Sequence, residues 1–117
     1  YQRAVAAGSV PAHNNLAWLL ATTPREGLRD GRRAVDLIRG IARYTGAWQY
    51  LDTLAAAWAA AGEFERAVET AEDALASARR QLGGDVGPEL DGLERRLARY
   101  RQGLAWVETP PEPGPGG

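Results

Sequence analysis

Apolar side chains recur at steps of three and four residues along most of this chain, which is the period of one face of an α-helix. Alanine, a strong helix former, is abundant, and runs of Val, Ile and Thr that favour strands are absent. The 117 residues are enough for one domain with a real core. The sequence therefore predicts a single all-α domain without strands.

Glycine and proline divide this periodic pattern into separate helices. Asp30 is a suitable N-cap, and Gly46, Gly62 and the pair at 83–84 are suitable helix ends. The short connections make successive helices antiparallel. We therefore expect a helical stub over residues 1–7, helices over 11–22, 32–44, 48–61 and 63–82, and a last helix whose apolar stripe continues to Leu104.

Residues 47–84 carry large and small apolar side chains at a distinctive spacing. They are Leu51, Leu54, Ala55, Trp58, Gly62, Phe64, Ala67, Ala71, Ala74 and Leu75. This spacing resembles the 34-residue tetratricopeptide repeat, with its W-x2-L-G-x2-Y motif followed by A-x3-F. The match departs from the family pattern in several places, since Leu51 stands in the Trp position, Ala71 in the Phe position and Arg79 in that of the closing proline.

Residues 10–46 resemble a second copy of the repeat with a longer loop. The corresponding small and large residues are Leu16, Ala17, Leu20, Ala34, Ile38 and Ile41. The form is similar to repeats common in large bacterial repeat proteins. The resemblance implies an α-α superhelix in which the end of a preceding repeat (1–9) is followed by two repeats (10–46 and 47–84), a capping helix (85–107) and a flexible Pro/Gly-rich tail (108–117). Because about three stacked repeats are usually needed, we expect further repeats before Tyr1.

In the family, the first helix of each repeat lines a concave groove that holds a peptide or helix of another protein. Trp18 offers a large anchor there, while Asn14 and Gln49 can hydrogen-bond a peptide backbone. Trp18 has an alternative role, which is to pack against the neighbouring repeat. The resemblance places the partner-binding positions at Asn14, Trp18, Gln49, Asp52 and Ala56, with Ala21 and Ala59 as further lining.

Catalysis and cofactor binding find no basis in these residues. His13 is the lone histidine and the chain has no cysteine, so we expect neither a metal site nor another cofactor. Ser9 and Ser77 have no base nearby in the sequence, and the acids over residues 63–73 are spread around a helix. No glycine motif for phosphate binding occurs. We therefore expect that this segment is not an enzyme.

The formal net charge is −1, which provides no overall field for nucleic acid or an anionic membrane. Arginines cluster over residues 25–33 and 95–101, but interspersed acids favour pairing within helices, for example Asp91 with Arg95. No apolar run approaches the ~20 residues of a membrane span, so we expect no membrane contact by this segment. The compartment and the oligomeric state stay open.

These observations favour a scaffold or adaptor that binds a protein or peptide. One alternative is the substrate-recruiting repeat region of a larger enzyme, such as a glycosyltransferase. Another is a helical nucleic-acid-binding module, which the near-neutral charge disfavours because such binding depends on many cationic contacts.

A peptide that ends in a cluster of acids is predicted not to bind. Family members that hold the acidic C-termini of chaperones use Lys or Arg together with Asn in the groove, because carboxylates need charge-assisted donors. Here the groove positions include Trp18, Asp52 and Ala56 instead of paired bases. Isothermal titration calorimetry should show no saturable heat, and a clear binding isotherm would overturn the expectation.

Overall fold

The computed structural model of the chain describes residues 10–25, 27, 29–84 and 87–108. The predicted stub over 1–7 and the tail from 109 onwards lie outside the described residues. Within the described part all regular structure is helical, which confirms the all-α prediction. The five helices are α1 (Val10–Thr22), α2 (Gly31–Thr45), α3 (Trp48–Ala60), α4 (Phe64–Leu82) and α5 (Pro88–Arg101).

Local capping chemistry explains three of these boundaries. The Asp30 side chain accepts a hydrogen bond from the backbone N–H of Arg33 at 3.1 Å, as expected of the N-cap of α2. Gly46 and Gly83 end α2 and α4 in the left-handed conformation, with φ of 65° and 72°. The first four helices therefore begin and end within one residue of the predicted positions.

The last helix ends earlier than its apolar stripe indicated. α5 stops at Arg101, and Gly103 has a φ of +74°. The backbone N–H of Leu104 donates to the carbonyl oxygen of Arg99 at 3.0 Å, which turns the chain away from the helix axis. Leu104 therefore belongs to the segment that follows the helix, and the prediction that the helix continues through it is wrong.

Each helix packs against the next one in the chain, and two further contacts order the layers. α1 also packs against α3, and α3 packs against α5 over a short stretch. The helices α1, α3 and α5 therefore adjoin one another in that order. No helix in the described ranges combines the length and apolar character that crossing a membrane requires.

The central helix α3 is buried on every side. All of residues 51–59 are buried, including Asp52 and Thr53. A helix surrounded by other elements needs an apolar surface all round, and the alanines at 55–57 and 59 let neighbouring backbones approach closely. The functional surface of this helix is consequently restricted to its first turns.

Side chains of α2 and α4 meet over the outer side of α3. The guanidinium groups of Arg39 and Arg66 lie 5.5 and 4.9 Å from the ring centre of the buried Trp58. Arg43 of α2 also pairs with Asp73 of α4 at 3.3 Å. The helices α1 and α2 form one helical hairpin, and α3 and α4 form the next. These contacts hold the second helices of the two hairpins together.

Charged side chains pair mainly between helices. Arg32 and Glu63 lie 3.9 Å apart, and Arg101 and Glu72 lie 2.9 Å apart. The predicted pair within α5, Asp91 with Arg95, is not formed among the described ion pairs. The expectation of pairing within helices is therefore wrong for this example, since both side chains are exposed and such a pair is worth only about 0.3–0.5 kcal/mol.

The closest helix approach occurs where α2 begins against the end of α3. A Cβ atom at Gly31 would meet the backbone nitrogen of Ala61 and would lie 2.5 Å from the carbonyl carbon of Ala60. No side chain fits in this space without a shift of the backbone. Gly31 thus determines how tightly the first hairpin packs against the second.

Two glycines of α2 provide a matched pair of variants. Gly31→Ala should lower the free energy of unfolding by about 1–3 kcal/mol, because the new methyl group overpacks a backbone contact. Gly40→Ala, with nothing within 4 Å of its added Cβ, should raise that free energy by about 0.5–1 kcal/mol. Urea unfolding followed by circular dichroism measures both effects, and equal effects at the two positions would contradict the described packing.

Candidate functional site

A cavity of about 450 Å³ opens between α1, the start of α3 and α5. Its wall combines two indole rings, three side-chain amides and one ion pair, so it offers both apolar and hydrogen-bonding surface. The residues that supply these groups are Asn14, Asn15, Trp18, Trp48, Gln49, Asp52 and Arg96.

The structure brings most of the predicted partner-binding residues to this cavity. Asn14, Trp18, Gln49 and Asp52 all line it. Ala56 does not, because it is only 1% exposed and is buried one helical turn after Asp52. The additional predicted lining positions, Ala21 and Ala59, are buried as well. The predicted groove is therefore closed at these three alanines.

Asp52 and Arg96 form a buried ion pair at the base of the cavity. Arg96 Nε donates to Asp52 Oδ1 at 2.8 Å, and the two side chains are 16% and 12% exposed. Burial raises the pKa of Asp52 above its ordinary value, the Arg96 guanidinium opposes this shift, and the Glu108 carboxylate adds to it. Asp52 is thus engaged with α5 and is not an open acid for a ligand.

The guanidinium of Arg96 also contacts two indole rings. Its central carbon lies 5.6 Å from the ring centre of Trp18 and 5.7 Å from that of Trp106. Both distances fall within the range of cation–π attraction. Trp18 therefore packs on Arg96 and also lines the cavity, and its role as an anchor for a partner stays a prediction.

The chain after α5 returns towards the end of α1. The backbone N–H of Glu108 donates to the carbonyl oxygen of Thr22 at 2.8 Å. Arg99 Nε and Nη2 donate to the carbonyl oxygen of Ala105 at 3.1 and 3.0 Å. We call residues 104–108 the return segment. It connects the last helix to the first one beside the Asp52–Arg96 pair.

Three buried polar atoms in this region have no hydrogen-bond partner within the described part of the chain. They are Asn14 Oδ1, Tyr100 Oη and Trp106 Nε1. Burial raises the pKa of the Tyr100 hydroxyl, and the carboxylates of Asp52 and Glu108 act in the same direction. An unsatisfied buried polar group costs about 1–3 kcal/mol, so the packing here is not optimised for stability alone.

Sequence reasoning did not identify Arg96, Trp106 and Glu108 as parts of the site. Arg96 was assigned to a basic patch, although its position three residues after Leu93 and four before Tyr100 places it next to the apolar stripe of α5. This spacing is a signal that could have located it. Its partner Asp52 lies 44 residues away in the sequence, a distance that helical periodicity does not bridge.

The described residues show no arrangement for metal binding, and Ser77 has a structural contact. No group of three or more His, Cys, Asp and Glu side chains suited to a metal ion occurs in them. The Ser77 hydroxyl donates to the carbonyl oxygen of Gly46 at 2.7 Å and accepts from Gln81 Nε2 at 2.7 Å. Ser77 therefore ties α4 to the end of α2.

Comparison with known proteins adds no relative to this description. No protein-family model matches the chain, and no curated protein and no solved structure matches it either. The resemblance to tetratricopeptide repeats consequently rests on the residue spacing.

The two side chains of the ion pair at the base of the cavity, Asp52 and Arg96, are predicted to have a large coupling energy. Asp52→Ala should lower the free energy of unfolding by about 2–4 kcal/mol, because the Arg96 charge loses its partner in a poorly hydrated place. The double variant Asp52→Ala/Arg96→Ala should lose less free energy of unfolding than the two single variants lose together. The difference, which is the coupling energy of the pair, should exceed about 1 kcal/mol.

The exposed pair of Arg101 and Glu72, whose side chains are 56% and 52% exposed, serves as the control for this double-mutant cycle. Its coupling should stay below about 1 kcal/mol because solvent screens it. Chemical denaturation of the single and double variants measures both couplings. Simple additivity at Asp52 and Arg96 would show that the buried pair does not hold α3 to α5.

Proposed function

We propose that this chain is a tetratricopeptide-like scaffold that binds an extended peptide of a partner protein along α1, α3 and α5. The observation that carries the proposal is the cavity in which Asn14, Trp18, Gln49 and Asp52 meet. These residues come from two helices and are far apart in the sequence. Their convergence on one opening supports a binding surface at the positions that the repeat pattern indicates.

The order of helix packing supports the same proposal. In tetratricopeptide arrays the first helices of successive repeats adjoin and line one wall. Here α1 and α3 are the first helices of the two hairpins and pack on each other, and α5 takes the next place beside α3. The cavity lies on this wall, and α2 and α4 contribute nothing to its lining.

The chemistry of the wall suits a peptide backbone. Asn15 and Gln49 are exposed, and each side-chain amide both donates and accepts hydrogen bonds. Trp18 and Trp48 add large rigid surfaces, which commonly carry much of the binding energy at interfaces. The carboxylate of Asp52 is held by Arg96, so the polar groups available to a peptide are the neutral amides, which recognise peptide groups, and the exposed Glu89 carboxylate, which also lines the cavity.

Peptide selection tests the proposal. A displayed library of random extended peptides is selected against the full chain, and enriched peptides are then titrated on the variant that combines Asn15→Ala and Gln49→Ala. Both residues are exposed, so their loss should leave the melting temperature nearly unchanged. We expect affinity to fall about 10-fold or more, since two hydrogen bonds of about 0.5–1.5 kcal/mol each are lost.

Gln102→Ala is the matched control, because Gln102 is exposed and does not line the cavity. It should leave the affinity of the selected peptides unchanged. Failure to enrich any peptide, or equal loss in the control and the double variant, would contradict the proposed binding surface.

A further inference from the structure

The return segment is held by the kinds of contact through which a groove holds a foreign peptide. One backbone N–H, that of Glu108, donates to the free carbonyl at the end of α1. One backbone carbonyl, that of Ala105, accepts from the Arg99 side chain. Between them the indole of Trp106 packs against the core and faces the Arg96 guanidinium. Backbone hydrogen bonds on both sides of an aromatic anchor are typical of peptide recognition.

Two features make this internal docking imperfect. The Trp106 indole N–H is buried without a hydrogen-bond partner, which costs stability relative to a ring that has a partner or lacks the N–H. The Glu108 carboxylate lies close enough to Asp52 to disfavour the charged form of that acid. An external segment without the second acid avoids this repulsion.

The link between the return segment and α5 is suited to a change of direction. Gly103 has a φ of +74°, and a Cβ built there would contact nothing within 4 Å. No neighbour packs against the Cβ position of this residue. The contacts that must break are the bond from the Leu104 N–H to the Arg99 carbonyl oxygen and those of Ala105, Trp106 and Glu108.

We infer that the return segment is a tethered occupant of the surface next to the cavity, between Thr22 and Arg96, and that the external partner is an extended peptide that runs from the cavity past Arg96 and replaces the segment there. The partner peptide places an aromatic side chain against Arg96, where Trp106 now lies, and two positions later donates a backbone N–H to the Thr22 carbonyl oxygen, as Glu108 now does. This inference rests on the proposed function and specifies both the partner's chemistry and the contact that it must displace.

Because the return segment is part of the same chain, its effective concentration determines how strongly it weakens the binding of an external peptide. A segment attached by a short link competes at an effective concentration of about 1 mM, so it weakens the apparent affinity of a soluble peptide that needs the same place. Loosening the segment should therefore tighten external binding by about 10-fold or more.

Two substitutions at one position test the inference in opposite directions. Glu108→Pro removes the N–H that donates to Thr22 and leaves the anchor residue in place. Glu108→Gln keeps this N–H and removes the charge near Asp52. The probe is the synthetic peptide acetyl-Leu-Ala-Trp-Val-Gln-amide with a fluorescent dye, titrated on the full chain by anisotropy.

We expect the probe to bind Glu108→Pro about 10-fold more tightly than the unmodified chain, and to bind Glu108→Gln no more tightly than the unmodified chain. A probe whose Trp is replaced by Ala should bind none of them. Equal affinity for the unmodified chain and Glu108→Pro, or a tighter affinity in both variants, would overturn the inference.

A complementation experiment provides a second measurement. Trp106→Ala vacates the place beside Arg96, and the probe should then raise the melting temperature of this variant, whereas the probe without Trp should not. Circular dichroism first establishes that the variant remains helical. If the variant is unfolded, the comparison of Glu108→Pro with Glu108→Gln alone tests the inference. If the variant is folded but the probe does not change its melting temperature, the inference is wrong.

The two proposals fail in distinguishable ways. Library peptides that depend on Asn15 and Gln49 but bind the unmodified chain and Glu108→Pro equally would leave the proposed function intact and remove the competition. In the opposite case, the probe stabilises the Trp106→Ala variant but the library yields no enriched peptide. The place beside Arg96 would then accept only the sequence of this chain's own return segment, which would be a purely internal element. That second result overturns the proposed function.

Discussion

The ion pair between Asp52 and Arg96 connects α3 with α5, two helices that pack on each other only over a short stretch. Through this pair α5 is fastened to α3, and the same guanidinium lies against Trp18 of α1 and Trp106 of the return segment. Removing two charges from water is costly, and the short hydrogen bond together with the two aromatic contacts offsets that cost. The shape of the cavity therefore depends on a single side chain of the last helix.

Close packing elsewhere is achieved with small residues. The alanines at 55–57 and 59 let neighbouring helices approach α3, and Gly31 allows the start of α2 to touch its end. Such a core combines the close approach of backbones with large buried side chains such as Leu54 and Trp58. It leaves little room for a ligand beside the later turns of α3, and the open surface is confined to the first turns, where Gln49 and Asp52 lie.

The parts of the structure that depend on short-range rules could be predicted from the sequence. Capping by Asp30, Gly46 and Gly83 determines helix boundaries locally. Four of the residues predicted to bind a partner, Asn14, Trp18, Gln49 and Asp52, line one cavity, while their role stays a prediction. One error had a local cause and one a long-range cause. Leu104 continued the helical period although Gly103 had already ended the helix, and Ala56, expected to line the groove, is buried. Neither the return segment nor the pairing of Arg96 with Asp52 leaves a periodic signal in the sequence.

Arg96 contacts the return segment on one side and lines the open cavity on the other. Two binding events that share one group are thermodynamically linked, and the linkage is reciprocal. Whatever factor the docked segment imposes on the affinity of a ligand in the cavity, the ligand imposes the same factor on the docking of the segment. The last helix would then act as a coupling element in addition to its role as a cap, because its Arg96 side chain would contact both the docked segment and the ligand in the cavity.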